Sequence, residues 1–125
     1  MSEADEKIRE LQLKVNRKAS SQALADGLGK LDEWAVHNLW AKHPQSSSDP
    51  AFVPWRKRIA RWKRRIVHLA EKHKCSYLDV RSLRVLGNLA SEPHYSLDPK
   101  LDQQMRTLSM RRKRIDSLIH KYRTD

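Results

Sequence analysis

The chain has 125 residues, 38% hydrophobic and 33% charged, with a net charge of +11 and a pI near 10.2, which bounds it to about one domain with a modest core. A single cysteine, Cys75, rules out a disulfide-stapled secreted scaffold, and no apolar run approaches the roughly 18 residues of a membrane span. The opening M-S-E-A-D-E-K is acidic and lacks an apolar stretch, so it reads as neither a signal peptide nor an Arg-rich transit peptide, and an intracellular protein is expected: nuclear in a eukaryote, cytoplasmic in a bacterium or virus.

Three glycines, no β-branched runs and periodic Leu-rich, charged segments predict an all-α protein, a small bundle of four or five helices. The first helix starts near Ser2, with Asp5 and Glu6 suited to its N-terminal dipole. Ile8, Leu11, Val15 and Ala19 form a thin stripe, and the helix is expected to end around Asp26–Gly29, where a glycine can supply a left-handed cap. A second helix follows from about Lys30 to Lys42. Leu28, Leu31, Ala35 and Leu39 are its main stripe, while Trp34, Val36 and Trp40 widen its apolar arc. Residues 1–43 thus read as an acidic-to-neutral helical hairpin whose Trp34 and Trp40 dock a protein partner or a second copy.

His43 to Pro50 is the clearest linker, and residues 44–53 divide the hairpin from a basic helical region, 54–125, within what is expected to be one domain. The charge asymmetry follows that division. Residues 1–50 hold seven Lys/Arg and eight Asp/Glu, and residues 51–125 hold nineteen and seven. Pro54 suits the first turn of a basic helix running to about Lys74. Ser76-Tyr77-Leu78-Asp79 has the form of a capping motif for a further helix, Tyr77 to about Ala90, with Gly87 inside it. After a loop, Asp98-Pro99 reads as an N-cap and first helical residue of a last helix to about Arg123. Its seam, Leu101, Met105, Leu108, Ile115, Ile119 and Tyr122, is broken only by Arg112.

The chemistry lies in W-R-K-R-I-A-R-W-K-R-R-I, Trp55 to Ile66. Seven of the ten residues from Arg56 to Arg65 are Lys or Arg, and no acidic residue occurs between Asp49 and Glu71. Trp55, Ile59, Trp62, Ile66 and Leu69 step by four and three, which places them on one helical stripe. Arg56, Lys57, Arg58, Arg61, Lys63, Arg64 and Arg65 surround that stripe with no carboxylate at i±4 to pair with them. Such a surface suits the phosphate backbone of DNA or RNA. Arg111, Arg112, Lys113 and Arg114 form a second cluster expected to assist it, and either cluster also matches a nuclear-import signal.

The expected function is therefore non-catalytic nucleic-acid binding, as a subunit of a larger nucleoprotein assembly. The alternative is a helical adaptor that binds an acidic protein surface without nucleic acid. A membrane-surface helix ranks below both, because the neighbouring helices need the Trp/Ile seam for their own core. His68, His73 and Cys75 lack metal-ligand spacing, and no catalytic or cofactor motif is present. No metal, cofactor or enzymatic activity is expected.

Overall fold

The Ser2 hydroxyl accepts the Asp5 N–H at 3.3 Å, and Glu3, Asp5 and Glu6 place negative charge in the turn that follows. In the computed structural model, which describes residues 2–124, the helix opened here (α1) runs unbroken from Glu3 to Ala35. The expected break at Asp26–Gly29, and with it the hairpin over residues 1–43, is thus corrected. Neither Gly27 nor Gly29 has a positive φ. Gly27 serves close approach instead, because a Cβ there would lie 2.7 Å from Leu69 Cδ2 of the second helix. Residues 2–19 of the described chain are exposed on every side, so the stripe of Ile8, Leu11 and Val15 packs against nothing. From Leu24 onward α1 enters the core through Leu24, Ala25, Leu28 and Ala35. Beyond Ala35 the helix widens into a π-type turn, Val36–Trp40, in which the Ala41 N–H reaches back to the Val36 carbonyl at 2.9 Å.

The linker is pinned rather than loose. The Ser47 N–H donates to Asp98 Oδ2 at 2.6 Å, and Asp49 accepts the N–H groups of Ala51 and Phe52. Helix α2 spans Phe52–Lys72, with Pro54 in its first turn, where an N–H has no helical acceptor. It ends as Lys74 turns left-handed, φ 56°, and the Cys75 N–H closes onto the Ala70 carbonyl at 3.1 Å. Helix α3, Tyr77–Arg84, starts as the capping motif predicts, with the Asp79 N–H donating to the Ser76 hydroxyl at 3.2 Å. It stops six residues before the expected Ala90. The chain is extended at Val85 and left-handed at Gly87, φ 69°. Helix α4, Pro99–Thr124, matches its expected bounds, and Asp98 Oδ1 accepts the N–H of Lys100 at 3.1 Å.

One apolar core draws on all four helices: Leu24 and Leu28 of α1, Trp55, Trp62 and Ile66 of α2, Leu83 of α3, and Leu101, Leu108 and Ile115 of α4. The architecture is the expected small all-α bundle, with no strand among the described residues. Both sides of the 44–53 linker contribute to this core, so the linker does not divide two separate ones.

Candidate nucleic-acid interface

The orientation of α2 is set by its apolar seam. Trp55, Ile59, Trp62 and Ile66 are buried, and each isoleucine is worth about 1.5–3 kcal/mol in that position. The indoles add direction to that burial. Trp55 Nε1 donates to the Leu39 carbonyl at 2.7 Å and Trp62 Nε1 to the Leu31 carbonyl at 2.8 Å. The Leu39 carbonyl lies in the π-type turn, where helical hydrogen bonding is irregular and a backbone acceptor is open to a side chain. Two tryptophans thus lock α2 against the end of α1 and leave its cationic arc facing outward.

On that arc Arg56, Lys57, Arg61, Arg64 and Arg65 are exposed, while Arg58 and Lys63 are half-buried. Five ion pairs join the described residues, Arg84–Glu71, Arg112–Asp32, Lys113–Glu92, Lys121–Asp79 and Arg123–Asp26, and the His94 ring hydrogen-bonds Asp102. None involves the seven cations between residues 56 and 65. Arg56 lies over the Phe52 ring at 5.7 Å, and the buried Nε of Arg58 has no hydrogen-bond partner among the described residues. Lys63 loses protons more readily than a free lysine, because it is partly desolvated and faces the positive charges of Arg111 and Arg84.

The second cluster is placed differently. Arg111 is 4% exposed, and its Nε and Nη2 donate to the carbonyls of Leu83 and Arg84. Arg114 donates to the carbonyls of Ser82, Val85 and Leu86, each at 2.7 Å. Two guanidinium groups therefore satisfy the C-terminal carbonyls of α3, which is why that helix can stop at Arg84. Burial and the neighbouring charge of Arg114 push the Arg111 pKa down to about 10. Arg112 pairs with Asp32 at 2.9 Å and ties α4 to α1. Lys113 pairs at 2.8 Å with Glu92, whose carboxylate is almost fully buried. Arg112, Lys113 and Arg114 are thus engaged by carboxylates or carbonyls of the fold, Lys113 with its side chain still largely exposed, and only Arg111 is brought to the flank of α2.

Residues remote in sequence join the basic surface. One groove runs between α1 and α2, where Arg65 and Lys72 meet Lys30. A second, of about 370 Å³, runs between α2 and α4 and joins Arg56, Lys57 and Lys63 to Gln104, Thr107 and Arg111. Lys30, Gln104 and Thr107 carry no local signal, because single polar residues in other helices acquire meaning only through the packing. The two expected docking tryptophans separate. Trp34 keeps 36% of its surface exposed, whereas Trp40 is half-buried against the core and meets the Tyr95 ring edge-on at 5.0 Å. No group of three or more His, Cys, Asp or Glu side chains able to hold a metal occurs among the described residues. None of the described helices is long and apolar enough to cross a membrane. Comparison with protein-family models, with curated proteins and with solved structures gives no match.

Proposed function

We propose that the chain is a non-catalytic binder of nucleic-acid backbone, DNA or RNA, that works inside the cell as a subunit of a nucleoprotein assembly. One observation carries this reading: seven Lys and Arg side chains between residues 56 and 65 ring a helix whose apolar seam is buried, and none of them forms an ion pair with a described carboxylate. Net positive potential on a rigid rod favours a polyanion, and displaced counterions supply the free energy. The charges lie along one helix with no polar base-reading face, so backbone contact is favoured over sequence readout.

The exposed Trp34 and the bare stripe of Ile8, Leu11 and Val15 favour a second contact, to a protein partner or another copy. The same features support the alternative of an adaptor whose cationic helix meets an acidic protein. Competition separates the two, since added oligonucleotide displaces a protein from α2 only if nucleic acid occupies the same surface.

The test replaces three exposed cations, Lys57→Glu, Arg61→Glu and Arg64→Glu, and follows a labelled oligonucleotide by fluorescence polarisation. If about five phosphates are contacted, log Kd for the unmodified protein on duplex DNA should change with log salt with a slope of about 4–5. The triple variant should retain its helical circular dichroism and lose binding at 100 mM salt. Unchanged affinity in a folded triple variant would exclude α2 as the site.

A further inference from the structure

The groove between α2 and α4 differs from the open face of α2. Its lining brings four cations together, Arg56, Lys57, Lys63 and Arg111, with the apolar Ile59 and Ala60 beside them, and no carboxylate lines it. Arg111 is the unusual member. It is almost fully buried and belongs to none of the ion pairs among the described residues. Its offset is the carbonyl end of α3, which carries roughly half a negative charge and is shared with Arg114. A buried cation with that little compensation is costly unless an anion joins it. The two neutral polar residues in the wall, Gln104 and Thr107, are half-buried, and their side chains make no hydrogen bond to a described residue.

We propose that this groove is a discrete pocket for one phosphate oxyanion, with Lys63 and Arg111 supplying charge and Gln104 and Thr107 supplying neutral donors. It deepens the backbone-binding reading, on which it rests for the source of the phosphate: one phosphodiester seated between α2 and α4, with its neighbours along the exposed arc. A free polyphosphate has the same chemistry, and the experiment distinguishes the two.

The full chain is compared with Gln104→Glu and Gln103→Glu, which make the same change in charge on adjacent residues. Gln103 lies outside this groove, in a different depression with Leu89 and Arg106. Two measurements are made on each: polarisation with a labelled oligonucleotide, and thermal unfolding with and without inorganic tripolyphosphate. A carboxylate placed among the pocket cations should weaken oligonucleotide binding about tenfold, against less than about threefold for Gln103→Glu. Gln104→Glu should also raise the melting temperature by itself and abolish the upward shift that tripolyphosphate gives the unmodified protein. Thr107→Val, which removes one hydroxyl at constant shape, should cost about fivefold in affinity and serves if the first variant fails to fold.

Equal losses for the two glutamate variants mean diffuse attraction, which overturns the pocket and leaves the backbone-binding reading intact. Suppose instead that oligonucleotide fails to bind the unmodified protein, while tripolyphosphate stabilises it but not Gln104→Glu. The pocket then stands as a free-phosphate site and the nucleic-acid reading falls. An unmodified protein indifferent to both probes overturns both.

Discussion

Replacing Gly29 by alanine tests the continuity of α1 through its sign. If α1 passes straight through residue 29, an added methyl group gains helix propensity, about 1 kcal/mol relative to glycine. The nearest foreign atom to that methyl would be Arg123 Nη2 at 3.9 Å, ordinary contact at the end of a flexible side chain, so no steric cost opposes the gain. If the helix instead broke there, with glycine in a left-handed cap, alanine would be strained and the sign would reverse by about the same amount. Gly27→Ala supplies the contrast. Its methyl would sit 2.7 Å from Leu69 Cδ2, so Leu69 must move, and overpacking of about 1–3 kcal/mol meets the same gain of about 1. Urea unfolding followed by tryptophan fluorescence should place Gly29→Ala about 1 kcal/mol above the unmodified protein, or about 3–5 °C higher in Tm, with Gly27→Ala level or below. A destabilised Gly29→Ala would refute the continuous helix.

Arg114→Ala should cost about 2 kcal/mol, since it leaves the carbonyls of Ser82, Val85 and Leu86 around the end of α3 without that donor, yet change oligonucleotide affinity less than twofold; a large loss of binding at preserved stability would reverse the structural role assigned to it. Acid should destabilise the fold partly through Glu92. Burial pushes the Glu92 pKa up, but the Lys113 ammonium and the hydroxyls of Ser109 and Tyr95 outweigh it and hold the carboxyl below its ordinary value. The stabilisation is therefore complete above the free carboxylate range, about pH 4–5, and is lost as pH falls through the lower folded value. The stability gap between the unmodified protein and Glu92→Gln should shrink between about pH 5 and 3 in urea titrations, and a gap independent of pH would show that the Glu92 carboxylate contributes nothing through its charge.

What could be read from the chain was local. The Ser76–Asp79 cap, the Asp98-Pro99 start of α4 and the seam of α2 all depend on residues within a few positions of one another, where backbone geometry admits few solutions. The glycines at 27 and 29 misled because glycine serves two purposes that look alike in sequence, a left-handed cap and a close approach. The close approach at Gly27 appears only once Leu69, some forty residues away, is in place, and Gly29 serves neither purpose. The short α3 misled for a similar reason. Leucine periodicity continues to Leu89, but the carbonyls that would extend the helix are taken by Arg111 and Arg114 from α4.

The two basic clusters show how little composition says about whether a charge is available. Arg111–Arg114, four cations in four residues, is denser than Arg56–Arg65, seven in ten, yet only Arg56–Arg65 has no side chain bonded to a carboxylate or carbonyl among the described residues. The difference lies in the neighbours. The seam of α2 turns two indole N–H groups, not guanidinium groups, toward the carbonyls of Leu31 in α1 and Leu39 in the π-type turn, and none of its cations pairs with a described carboxylate. In α4, Arg111 and Arg114 stand beside the end of α3, where they donate to carbonyls, while Arg112 pairs with Asp32 and Lys113 with Glu92. A charge becomes a binding residue only when the fold leaves it without an internal acceptor. By that criterion Arg111 is intermediate: its hydrogen bonds are partly met by carbonyls and its charge is not matched by a carboxylate. It therefore belongs both to the scaffold that ends α3 and to the cationic groove facing α2.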